Sequence, residues 1–193
     1  MSPDKNAADG NNQAHALQTH GWQALFARVL AKVQARFDER TSDGLVCKRG
    51  LYSGCAVLKL QKPSWTNDRM DRVENETGIF FSIWVNAKAA SQKRAEYNIH
   101  ALKLRRLAGY SITSRDFAQE FRSGFARMRD GWPNVSVDYG PLTLMQGWIE
   151  VAPDRAEQDI LEQDILEQEI LALMERFRLV SPLIDRLLQA RRK

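Results

Sequence analysis

Three arginines spaced seven residues apart are the strongest candidates for chemistry in this chain. A helix repeats its direction nearly every seven residues, so Arg115, Arg122 and Arg129 would form a ridge along one side of a helix. A row of guanidinium groups can hold the phosphates of a nucleic acid. The same ridge could also be an ordinary solvated face, or it could pair with acidic residues of the chain itself.

More cations precede this ridge and would extend it. They are Arg94, Lys103, Arg105 and Arg106. Residues 21–110 hold sixteen Lys and Arg residues against eight Asp and Glu residues, whereas residues 154–175 hold one arginine against eight acids. A basic region attracts an anionic partner, and the acidic segment of the same chain is one such partner. The charge pattern therefore predicts binding of nucleic acid or an acidic protein, or else internal neutralisation.

Tyr97, His100 and Trp132 are candidates for a ligand pocket. Tyr97 and His100 lie three residues apart in a segment with helical periodicity, so they would share one helix face and could do acid–base chemistry. Trp132 precedes Pro133 in a predicted loop, where its ring could stack on a ligand. The competing interpretation is that all three side chains are structural.

The sequence carries no strong motif of a catalytic or cofactor site. It has no Gly-rich phosphate loop, no Gly-x-Ser-x-Gly elbow and no His-Glu-x-x-His pattern. Cys47 and Cys55, without clustered histidines, make a poor zinc site. They flank a predicted hairpin as cross-strand neighbours, where a disulfide could form in an oxidising compartment, but we expect two reduced and partly buried thiols. The sequence thus predicts no metal and no cofactor, and it favours a non-enzymatic protein.

The elements that must position these residues follow from hydrophobic periodicity. Residues 1–18 are polar and aperiodic and predict a disordered tail, followed by a single domain over residues 19–193. Apolar residues at three- and four-residue spacing predict helices over 21–38, 88–108 and 113–129, the last with Thr113 as N-cap. Alternation and turn signals predict strands over 45–48, 55–62, 78–85, 135–139 and 142–150.

The C-terminal part is predicted to be helical from about residue 154. A pentad repeat occupies residues 157–171, and a five-residue period cannot keep its Ile-Leu pairs on one helix face. Ile160, Leu161 and Ile165 therefore lie off the core stripe and predict contact with a second copy or another protein. Pro182 is expected to begin a separate short helix.

Together these patterns predict an α+β fold, with a mostly antiparallel sheet of about five strands covered by helices and an extended C-terminal helical pair. The expected function is a non-enzymatic binding protein associated with nucleic acid. The alternatives are a small enzyme or ligand-binding domain with a pocket near Tyr97 and His100, and a pure interaction module of the immunity or adaptor type. No stretch is apolar enough to span a membrane and no signal peptide is evident, so we expect a cytoplasmic protein.

Overall fold

The computed structural model describes residues 21–35, 44–74, 76–151 and 160–193, with the side chains of residues 160–163 excepted. The fold is α+β, as predicted, with one five-stranded antiparallel sheet and helices packed on it. The predicted N-terminal tail at 1–18 lies outside the described residues. Among the described helices, none has an apolar stretch of the length and hydropathy that a membrane span requires.

The strands follow one another across the sheet in chain order, each antiparallel to its neighbours. They are β1 (Val46–Tyr52), β2 (Cys55–Gln61), β3 (Gly78–Val85), β4 (Arg94–Leu102) and β5 (Thr143–Glu150). β2, β3 and β5 coincide closely with predicted strands.

The prediction that Cys47 and Cys55 lie opposite each other on neighbouring strands is wrong. β1 extends to Tyr52, and the turn consists of Ser53 and Gly54, both with positive φ, as a two-residue hairpin requires. Cys55 therefore faces Tyr52 and Cys47 faces Leu60, so the two thiols are not cross-strand neighbours. Both cysteines are free.

The largest difference from prediction concerns residues 88–108, which are not one helix. A short helix α2 (Ala87–Ser91) gives way to β4, and a 3-10 turn (Leu104–Arg106) follows. Ala95, Tyr97 and Ile99 alternate along β4 and are fully buried on one face of the sheet. β4 pairs with β3 on one side and β5 on the other, and this pairing overrides the helix-favouring composition.

The predicted strand at 135–139 is also wrong. This segment makes only an isolated bridge, between Ser136 and Gln146, at the outer edge of β5. The sheet thus has the predicted number of strands, but β4 rather than residues 135–139 is the neighbour of β5.

Three longer helices complete the fold: α1 (21–35), α3 (Ser114–Phe125) and α4 (Ile160–Gln189). The cap of α3 is confirmed, because Thr113 Oγ1 accepts a hydrogen bond from the N–H of Asp116 at 3.1 Å. The predicted C-terminal pair is a single helix, since α4 continues through Pro182. Val180 and Ile184, on either side of Pro182, are fully buried, and this packing offsets the missing backbone hydrogen bond.

The core lies between one face of the sheet and the helices. Phe177 of α4 stacks on Phe81 of β3 with ring centroids 4.5 Å apart. Farther along α4, Asp185 accepts hydrogen bonds from Lys62 Nζ at 2.6 Å and from Trp65 Nε1 at 2.8 Å. These contacts fix α4 along its length and determine where the last residues of the chain lie.

Candidate functional site

The end of the chain lies beside the segment that follows β4. An antiparallel bridge joins Tyr110 to Arg192. The N–H of Ser111 donates to the carbonyl oxygen of Arg191 at 2.8 Å, and the N–H of Lys193 donates to the carbonyl oxygen of Gly109 at 3.0 Å. Arg192 and Lys193 are therefore held close to the segment that also contains three other cations, Lys103, Arg105 and Arg106.

Those three cations are carried by the 3-10 turn after β4. Lys103 adopts a left-handed conformation that ends the strand and begins the turn. Leu104 is fully buried and anchors the turn, while Arg105 and Arg106 are exposed. The N–H of Leu104 donates to Ser114 Oγ at 3.2 Å, which ties the turn to the first residue of α3.

A cleft of about 290 Å³ lies between the turn and the start of α3. Lys103, Arg105 and Arg106 line it on one side and Thr113 and Ser114 on the other. The N-terminal end of a helix carries a partial positive charge, which adds to that of the cations. The exposed Arg115 follows directly. We name the whole set the basic surface: Lys103, Arg105, Arg106, Arg115, Arg192 and Lys193.

The acidic residues that the structure describes neutralise little of the basic surface. Lys103 Nζ lies 3.5 Å from Glu76 Oε2, but both side chains are more than half exposed, so this pair contributes little. Asp116 is engaged in the cap of α3, where it accepts from the hydroxyl of Thr113 at 2.7 Å. Within the described parts of the chain, Arg105, Arg106, Arg115 and Arg192 form no ion pair.

Glu167, in the acidic part of α4, pairs with cations outside the basic surface. The carboxylate of Glu167, only 1% exposed, pairs with Arg28 and Lys32 of α1. Burial acts to raise the pKa of Glu167, but the hydrogen bonds and charges of Lys32 and Arg28 outweigh it, so the pKa is lowered. Glu169 is exposed, and its pKa is raised by partial burial and by Glu150. The side chain of Glu162 lies outside the described residues.

The predicted arginine ridge is not a uniform row of solvated cations. Arg122 donates to the carbonyl oxygens of Tyr139 at 2.7 Å, Thr143 at 2.9 Å, Gly140 at 3.1 Å and Leu144 at 3.3 Å. Arg129, beyond the end of α3, donates to the carbonyl oxygen of Val135 at 3.1 Å. Both guanidinium groups thus hold the segment that leads into β5, whereas Arg115 makes no such bond to any residue that the structure describes.

Arg94 lies far from the basic surface, at the opposite end of β4. Its Nε is 3.8 Å from Glu96 Oε1, and its guanidinium lies 5.2 Å from the ring centroid of Trp148. In the predicted helix, Arg94 would have extended the group formed by Lys103, Arg105 and Arg106. In the structure it does not, because β4 separates it from them.

Tyr97 and His100 do not share a face, because they belong to a strand rather than a helix. Tyr97 is fully buried in the core, its hydroxyl donates to the carbonyl oxygen of Pro133, and burial raises its pKa. His100 lies on the other face, with Nδ1 3.1 Å from the carbonyl oxygen of Leu142. Burial lowers the pKa of His100, and the nearby Lys59 adds to this, against the opposing effect of the Leu142 carbonyl.

Trp132 is a core residue as well. It is 7% exposed and packs against the rings of Tyr97, Phe125 and Phe177. The pocket predicted around Tyr97, His100 and Trp132 is therefore not assembled. Within the described residues, no group of three or more His, Cys, Asp or Glu side chains is placed to hold a metal ion.

Of the three residues predicted to contact a partner, only Ile165 has a described side chain. Ile165 is 52% exposed on α4, whereas the side chains of Ile160 and Leu161 lie outside the described residues. Leu179 is 60% exposed on the same helix and was not anticipated. Residues fourteen apart point in nearly the same direction on a helix, so Ile165 and Leu179 lie along one line.

Two further features escaped sequence analysis. Lys59 is 2% exposed, and its Nζ donates to the carbonyl oxygen of Val73 at 2.6 Å and lies 3.7 Å from the centroid of the Phe80 ring. Burial, together with Lys48 on the facing strand, lowers the pKa of Lys59 to about 7. The position of Arg192 and Lys193 beside Tyr110 was not predicted either. The sequence shows only that the last residues are basic, not which segment they contact.

Comparisons with protein-family models, with curated proteins and with solved structures find no match for this chain. Its function must therefore be inferred from its own charges, clefts and contacts.

Proposed function

We propose that this protein is a non-enzymatic binding protein whose basic surface holds the phosphates of a nucleic acid. The observation that carries the proposal is the bridge between Tyr110 and Arg192. It adds Arg192 and Lys193 to the three cations that precede Tyr110 in the chain. Residues from three separate elements thus contribute positive charge to one region.

The character of these side chains supports a phosphate ligand. All six residues of the basic surface are exposed. Lys and Arg side chains that are not used in internal ion pairs can displace the counterions of a polyanion, and release of those counterions drives binding. An acidic protein would use the same surface, but a nucleic acid carries a negative charge on every nucleotide and a dense layer of counterions, whose release favours binding to clustered cations.

Charge reversal tests this proposal. Arg105→Glu with Arg106→Glu should weaken binding of a fluorescently labelled oligonucleotide by about tenfold or more in an anisotropy titration at low salt. Lys88→Glu is the matched control, because Lys88 is exposed on α2, about 30 Å away at the other end of β4. Equal affinities for wild type and the double variant would reject the proposal, as would an equal loss in the control.

A contact through α4 with a second copy of the chain is a further candidate role. The line formed by Ile165 and Leu179 supports it, since large apolar side chains more than half exposed are stabilised by a partner. Sedimentation velocity should show association in the wild type that Ile165→Lys with Leu179→Lys abolishes. A wild type that sediments as a monomer at high concentration would exclude this role. We also propose a cytoplasmic location for this binding protein.

A further inference from the structure

A second cleft lies next to the basic surface, along the side of α3. It has a volume of about 420 Å³ and is lined by Arg115, Gln119, Ser123, Tyr139 and Pro141, among others. Arg115 belongs to both the cleft and the basic surface, so a chain bound along the basic surface would pass its entrance.

Tyr139 is an exposed aromatic residue at this cleft. Its side chain is 40% exposed, whereas Tyr97 and Trp65 are fully buried. Leu142, three residues farther on, is 48% exposed as well. An aromatic ring that is open to solvent beside a cation is what stacking of a nucleic-acid base requires, and such stacking depends little on which base is bound.

The backbone that carries Tyr139 is held in place from two sides. Arg122 donates to its carbonyl oxygen at 2.7 Å and to that of Gly140 at 3.1 Å. The N–H of Tyr139 donates to the carbonyl oxygen of Val137 at 2.9 Å. A ring on an ordered backbone loses little conformational entropy when a ligand stacks on it. Arg122 is therefore a positioning residue for Tyr139.

We infer that the protein binds single-stranded nucleic acid, with an unpaired base stacked on Tyr139 and the adjacent phosphate held by Arg115. This inference rests on the proposed function and adds the class of ligand to it. The bases of a duplex are already stacked on one another and paired, so they cannot reach the Tyr139 ring. Gln119 supplies an exposed amide that can bond to the edge of the stacked base.

Three oligonucleotide probes of the same length, about twelve nucleotides, test this inference. They are a single-stranded oligothymidylate, an abasic strand with the same sugar-phosphate backbone, and a duplex. Tyr139→Ala should weaken binding of the oligothymidylate by about 5- to 150-fold and leave binding of the abasic strand unchanged. Tyr139→Phe should retain wild-type affinity, because the ring rather than the hydroxyl makes the contact. Tyr52→Ala, which removes a tyrosine that is 51% exposed on β1, is the control and should change nothing.

The outcomes separate this inference from the proposed function. Tight binding of the duplex in preference to the single strand would overturn the inference, and so would equal affinities of wild type and Tyr139→Ala for the oligothymidylate. In either case, binding of the abasic strand would show that the basic surface still holds phosphates. Failure of the wild type to bind any of the three probes would instead reject the proposed function itself.

Discussion

Arg122 Nη2 donates to the carbonyl oxygen of Tyr139 at 2.7 Å, and this bond joins the middle of α3 to the segment before β5. The same nitrogen also lies within hydrogen-bonding distance of two more carbonyl oxygens, those of Gly140 and Thr143. An arginine whose spacing indicates a phosphate ligand is thus used to order a loop. Arg115, one heptad earlier, remains exposed.

Arg122→Ala should therefore destabilise the fold. Loss of several hydrogen bonds from a charged donor lowers the free energy of unfolding by about 1–3 kcal/mol. Arg115→Ala should change it by less than about 0.5 kcal/mol, because Arg115 is exposed and makes no such bond within the described part of the chain. Urea denaturation of both variants measures the difference. Similar small effects in the two variants would mean that the bonds of Arg122 contribute nothing to stability.

Glu167→Gln should destabilise the contact between α1 and α4. The buried carboxylate pairs with Arg28 and Lys32, and its loss should lower the free energy of unfolding by about 1–3 kcal/mol. Glu169→Gln, on an exposed neighbour in the same helix, is the control and should have little effect.

The effect of Glu167 should also depend on pH. Its pKa is lower in the folded chain than in the unfolded chain, so its contribution to stability is complete above the unfolded pKa, near 4.5. The contribution is lost as the pH falls through the lower folded pKa. The difference in unfolding free energy between wild type and Glu167→Gln should therefore shrink in acid. A difference that does not change with pH would contradict this assignment.

Lys59 should make stability rise with pH above neutrality. Its pKa is lowered from 10.5 to about 7 in the folded chain, first by burial and then by Lys48, against the opposing effect of Asp68 and Glu74. Between these two values the unfolded chain binds more protons, so the free energy of unfolding increases as the pH rises. Relative to Lys59→Met, the wild type should gain stability between about pH 7 and about pH 9. Parallel pH profiles of the two proteins, measured by urea denaturation, would refute the shift.

Much of the fold could be predicted from local pattern, but β4 could not. Its residues Ala95, Tyr97, Ile99 and Ala101 alternate as in a strand, yet the same segment also contains apolar residues at helical spacing. Ala, Leu, Lys and Arg favour a helix by intrinsic propensity. The partners that decide between the two, β3 and β5, are brought together only by the tertiary fold. The predicted helix placed Tyr97 and His100 on one face and therefore suggested a pocket between them. In the strand β4 the two side chains lie on opposite faces of the sheet.

The candidate site was predictable in its members but not in its arrangement. The sequence predicts Lys103, Arg105 and Arg106 as a basic group and Thr113 as the cap of α3. The bridge from Tyr110 to Arg192 joins residues more than eighty positions apart, and no local pattern encodes such a contact. The prediction that a separate helix begins at Pro182 failed for the same reason. The packing of Val180 and Ile184 that keeps α4 continuous through Pro182 involves residues distant in the chain.

The dependence of binding on salt tests the basic surface most directly. Six phosphate contacts to a single strand predict a slope of about −4 in a plot of log K against log salt concentration. Arg105→Ala with Arg192→Ala removes two contacts from separate elements and should make the slope less steep by about 1.4, while Lys88→Ala leaves it unchanged. A wild-type slope near zero, or one that the double variant does not alter, would contradict a phosphate-binding role for this surface.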